Sequence, residues 1–96
     1  MDWHPPKKTS SQIAAICREG NLTCIRFKRG RHGEADHEAY YEYRNLPEYH
    51  DPENPETPSH EAFINAESQG SYFQKRIKPH KDRFPYSRIE TKHKAV

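Results

Sequence analysis

Apolar and polar positions alternate in blocks along the chain, and each block has a period. Thr9-Ser10-Ser11 supplies capping side chains ahead of Gln12 to Glu19, where Ile13, Ile16 and Cys17 share one face at helical spacing. Gly20-Asn21 follows as a stop signal, so the pattern predicts a short helix over 10–19. Leu22 to Arg29 then alternates, with Ile25 and Phe27 on one side and Arg26 and Lys28 on the other. After Gly30 and Gly33, the stretch from His37 to Arg44 alternates again through Ala39, Tyr41 and Tyr43. These two segments predict an antiparallel hairpin whose outer face combines Arg26, Lys28, Tyr40, Glu42 and Arg44.

Residues 46–58 hold four prolines and no alternating apolar positions. That composition excludes helix and strand and predicts a stiff, acidic connector. Ser59 can cap a second helix from His60, whose buried stripe is Phe63, Ala66, Gly70, Phe73 and Ile77, with Gly70 weakening it enough for a break near Gln69-Gly70. Pro79 ends it. The expected architecture is a small α+β domain, helix–hairpin–helix (αββα), over 10–78, with an extended arm at 1–9 and a basic tail at 79–96 that orders on binding. Its core would be Ile13, Ile16, Cys17, Ile25, Phe27, Tyr41, Tyr43, Phe63, Ala66, Phe73 and Ile77. So small a core favours completion by a second copy or a protein partner.

Composition narrows the function classes. Hydrophobic and charged residues each make up 31% of the 96 residues, and the mean hydropathy is −1.29. No apolar run approaches the roughly 18 residues that cross a bilayer, and the N-terminus has no apolar signal region. Two cysteines are too few for a disulfide scaffold, so reduced thiols and a cytoplasmic location are expected.

The formal net charge of +2 conceals three blocks. Residues 1–33 carry seven basic and two acidic side chains (+5), residues 34–67 one basic and ten acidic (−9), and residues 68–96 eight basic and two acidic (+6). Such a chain can neutralise itself or present opposite faces to different partners.

Few residues could carry metal or acid–base chemistry. Cys17, Cys24, His32 and His37 lack the close cysteine pair of structural zinc sites, so no metal is expected. His32, Glu34, Asp36, His37 and Glu38 crowd a glycine-flanked loop, which gives no rigid support for acid–base work. No catalytic signature or cofactor motif is present, and the expectation is a binding protein, not an enzyme.

Nucleic-acid binding fits better. Arg26, Lys28, Arg29 and Arg31 form a basic ridge near Tyr40, and Lys75, Arg76, Lys78, Lys81, Arg83 and Arg88 are interleaved with Phe73, Phe84 and Tyr86. Such surfaces track phosphates and stack bases. An alternative role is an inhibitor or adaptor of a nucleic-acid-processing enzyme, with Glu48, Asp51, Glu53 and Glu56 mimicking phosphates in a basic groove. A further alternative is a structural staple, in which Arg83-Phe84-Pro85-Tyr86-Ser87-Arg88 folds on docking to a large assembly.

Overall fold

A computed structural model describes residues 3–5, 12–29, 34–35 and 39–90, with the backbone alone at Arg29, Glu34 and Ala35. The fold is α+β, but strands dominate and the αββα order is not what forms. The elements are β1 (Ile13–Glu19), β2 (Leu22–Arg29), β3 (Glu34–Ala35), β4 (Ala39–Tyr43), α1 (His60–Ile64), α2 (Gln69–Tyr72) and β5 (Tyr86–Glu90). The antiparallel sheet runs in the order β1-β2-β4-β5, with β3 paired to β2 beside that path.

The first predicted helix is strand β1. Its pairing with β2 slips between Ile13, opposite Phe27, and Ala15, opposite Arg26. This irregularity inserts one extra residue, so Ile13 and Ile16 face the same side despite their odd separation. A bulged strand therefore carries the apolar spacing of a helix. The glycine read as a helix stop makes the hairpin turn instead: Gly20 has φ +59 in the two-residue link Gly20-Asn21 between paired Glu19 and Leu22. The described part of the N-terminal segment adds to the free edge of β1, where His4 and Ile16 exchange backbone hydrogen bonds of 2.9 and 3.0 Å.

The β2–β4 pairing is antiparallel, with Ile25 opposite Tyr41 and Thr23 opposite Tyr43. After β4, Asn45 takes a left-handed conformation at φ 65, one that asparagine tolerates better than most residues. The connector has neither helix nor strand, yet Leu46 and Pro58 at its two ends are buried. Ser59 caps α1, its hydroxyl accepting from the Ala62 N–H at 3.0 Å. A second cap, Ser68, opens α2, which widens over Phe73–Ile77 into a π-helical turn closed by Lys78 N–H to Phe73 O at 2.9 Å.

Residues 86–90, read as part of a tail, form β5, fully registered on β4 from Tyr43 opposite Tyr86 to Ala39 opposite Glu90. Without β5, β4 would be an edge strand with unpaired backbone groups, and Phe84, buried just before β5, anchors the approach. The core joins Ile13, Ile16, Ile25, Tyr43, Leu46, Phe63, Phe73, Ile77 and Phe84, with Phe27 and Tyr41 partly buried against it. Among the described residues, no helix is long and apolar enough to cross a membrane.

Candidate nucleic-acid interface

The strand registers sort the site residues onto two sides of the sheet. Thr23, Ile25, Phe27, Tyr41, Tyr43, Tyr86 and Arg88 fall on the side of the helices; Cys24, Arg26, Lys28, Tyr40, Glu42, Ser87 and Ile89 fall on the other.

On the side turned away from the helices, the Arg26 guanidinium lies 4.8 Å from the Trp3 ring centroid. Trp3 in turn meets Tyr40 edge to face, at 5.4 Å and 73°. Lys28 is half-buried on the same face. Burial, followed by the nearby Glu42 charge, raises the Tyr40 hydroxyl pKa, so this ring stays neutral. The ridge expected from the sequence thus has Arg26, Lys28 and Tyr40 together, and gains Trp3. Arg29 contributes backbone to β2 opposite Glu34, while its side chain and the whole of Arg31 lie outside the described residues.

The basic residues grouped between Lys75 and Arg88 in the sequence are dispersed by the fold. Lys78 and Lys81 border a cleft of about 370 Å³ between sheet and π turn, whose other walls are Phe27, Tyr41, Tyr43, Phe73, Gln74 and Tyr86. The rings touch in a continuous series, with Phe27–Tyr41 at 5.4 Å, Phe27–Phe73 at 5.3 Å, Tyr43–Tyr86 at 5.4 Å and Tyr41–Tyr86 at 5.7 Å. Arg88 hydrogen-bonds Glu90, whose carboxylate holds the guanidinium above its usual pKa, with Tyr41 adding to the effect. Lys75 is exposed on the outer side of the helix.

Arg76 and Arg83 instead face the acidic connector. A cleft of about 640 Å³ is lined by Glu53, Asn54, Glu56, Arg76, His80 and Arg83, so side chains of opposite charge share its walls. The other two carboxylates offered as phosphate mimics have partners within the chain. Glu48 pairs with Arg18 at 3.9 Å. Asp51 accepts from the Asn54 amide at 3.0 Å and the Glu53 N–H at 2.9 Å, and these bonds hold its carboxyl below the usual range.

Sequence reasoning did not find a polar group packed between β2 and α1. Arg18 Nη1 donates to Thr23 Oγ1 at 3.1 Å and to the Leu46 carbonyl at 2.7 Å, and Thr23 Oγ1 lies 3.0 Å from His60 Nδ1. With the hydroxyl oxygen accepting from Arg18, its proton is free to bond a neutral His60. Burial, then the Arg18 charge, lowers the His60 pKa from 6.5. Nothing in the residue types or their spacing signals this group, because its members meet only through the tertiary fold.

Cys17 and Cys24 are buried partners across β1 and β2. Among the described residues, no three histidines, cysteines or carboxylates gather to hold a metal ion; His32, Asp36, His37 and Glu38 lie outside those residues. No protein-family model matches the chain, and comparison with curated proteins finds no match.

Proposed function

We propose that this chain is a small accessory factor that acts by binding nucleic acid, with a contact surface on the sheet face turned away from the helices. The observation that carries this reading is the stack of Arg26 over Trp3, with Tyr40 against the same indole and Lys28 further along the same strand face. A guanidinium held against an indole is positioned before any ligand arrives, so less side-chain freedom is lost on contact with a phosphate or base. Strand faces that mix cations with aromatic rings suit both phosphate contacts and base stacking. The phosphate-mimic alternative requires carboxylates available to a partner, whereas Glu48 and Asp51 already have partners within the chain.

The test is binding of labelled single- and double-stranded DNA and RNA across a salt series, with wild type and the double variant Arg26→Glu, Lys28→Glu. Affinity is expected to fall with rising salt and to collapse in the variant, because reversing two charges repels the backbone they attracted. Unchanged affinity in the charge-reversed protein overturns the proposal.

A further inference from the structure

We infer that the aromatic cleft on the helix side of the sheet takes one nucleotide of a single-stranded nucleic acid, the base lodging among Phe27, Tyr41 and Tyr86 and its phosphate meeting Lys78 and Lys81. The inference rests on the nucleic-acid reading above and adds a second, chemically distinct subsite to it.

The walls select the ligand. Aromatic rings on strands and helix enclose the cleft, and among the described residues its only charged lining groups are the two lysines. With no carboxylate among those lining residues, a cationic guest is disfavoured, whereas a flat guest bearing negative charge meets both ring faces and ammonium groups. A volume of about 370 Å³ lies toward the small end of ligand sites, which run from roughly 300 to 1,000 Å³, and suits one nucleotide unit. The faces of a base are open to aromatic rings only when it is unstacked from a duplex, so the guest is an unpaired nucleotide.

Tyr43 and Phe73 belong to the core and Phe27 and Tyr41 pack against it, but Tyr86 does not. Tyr86 is 46% exposed although it contacts Tyr41 and Tyr43, so part of its ring remains available for stacking. The opposite wall is the π-helical turn, where the closing bond spans five residues and Phe73, Gln74 and Lys78 are presented to the cleft. Such turns are rare and recur at functional sites. The Gln74 amide offers a donor and an acceptor, suited to the edge of a base.

The experiment compares a labelled single strand with an otherwise identical strand of abasic residues, which keeps the phosphates and removes the rings. DNA and RNA versions are titrated against wild type, Tyr86→Ser, Tyr86→Phe, the pair Lys78→Gln, Lys81→Gln, and the Arg26→Glu, Lys28→Glu protein. Wild type is expected to prefer the base-bearing strand by about tenfold, the usual scale for one stacked base. Tyr86→Ser should lose that preference and Tyr86→Phe keep it. The double lysine variant should have a log–log salt slope shallower by about 0.7 for each phosphate it no longer neutralises. Circular dichroism checks each fold; should Tyr86→Ser not fold, the wild-type preference and the lysine slope decide. Equal binding of both strands by wild type overturns the inference, as does a preference that survives in folded Tyr86→Ser. Either result, with binding still abolished by Arg26→Glu, Lys28→Glu, leaves the outer-face reading standing. A Tyr86-dependent preference that persists in the charge-reversed protein at undiminished affinity overturns the outer face and upholds the cleft.

Discussion

His60 Nδ1 lies 3.0 Å from Thr23 Oγ1, a buried contact between residues 37 positions apart that fastens α1 to the middle of the sheet. Arg18 donates to the same hydroxyl and to the Leu46 carbonyl, so one network holds β1, β2, the connector and the second half of the chain. A protonated imidazole there would lose its acceptor nitrogen and place positive charge beside Arg18.

Stability should therefore depend on acid through His60. Its pKa is lowered in the folded state, mainly by burial and next by Arg18, while the unfolded chain protonates near 6.5. Below that value the unfolded state binds more protons, so the contribution is complete above about pH 6.5 and is lost as pH falls toward the folded pKa. Urea midpoints between about pH 7.5 and pH 5 should fall in wild type, and His60→Gln should be less stable at neutral pH with a flatter profile. A variant profile as steep as wild type would assign the acid sensitivity to other groups.

Leu46 ties the connector to the core. It is 1% exposed, and its carbonyl accepts from Arg18 at 2.7 Å, so the side chain and backbone hold the same segment. Leu46→Ala removes buried methyl groups and leaves a cavity, with an expected loss of about 2–4 kcal/mol in denaturant unfolding. A cost below about 0.5 kcal/mol, the scale of surface changes, would show that the connector does not depend on this anchor.

Cys17 and Cys24 should report global unfolding. Both are inaccessible, and the Cys24 thiol is pushed up to about 12, first by burial and then by neighbouring Cys17. Since the thiolate is the reactive species, a thiol reagent at about pH 8 should modify native protein slowly and urea-unfolded protein at once. Rapid labelling of the native state would mean that the β1–β2 hairpin opens independently of the rest.

Local patterns were legible wherever one element supplied its own signal. The alternation of Leu22–Arg29 and of the Tyr41/Tyr43 segment corresponds to paired strands, and Ser59 followed by the Phe63 stripe marks the start of α1. The proline-rich connector excludes regular structure by removing backbone donors, as its composition indicates. Ile13 and Ile16 misled because a bulge and a helix both place residues three apart on one face. Tyr86–Glu90 gave a weak signal of its own, since a strand half exposed at a sheet edge needs few apolar side chains.

The candidate site divides in the same way. Arg26, Lys28 and Tyr40 belong to strands whose alternation puts them on one face, so their association follows from local spacing. The aromatic cleft needs β5 beside β4 and the π turn above both, bringing Tyr86, Tyr41 and Phe73 together from separate parts of the chain. The sharing of one cleft by Glu53, Glu56, Arg76 and Arg83 is equally nonlocal. The sequence alone determined composition, charge blocks and the faces of individual strands, because these depend on neighbours along the chain. Only the tertiary structure decided which blocks meet, because strand pairing and core burial reward contacts between residues far apart, and one register selects among them.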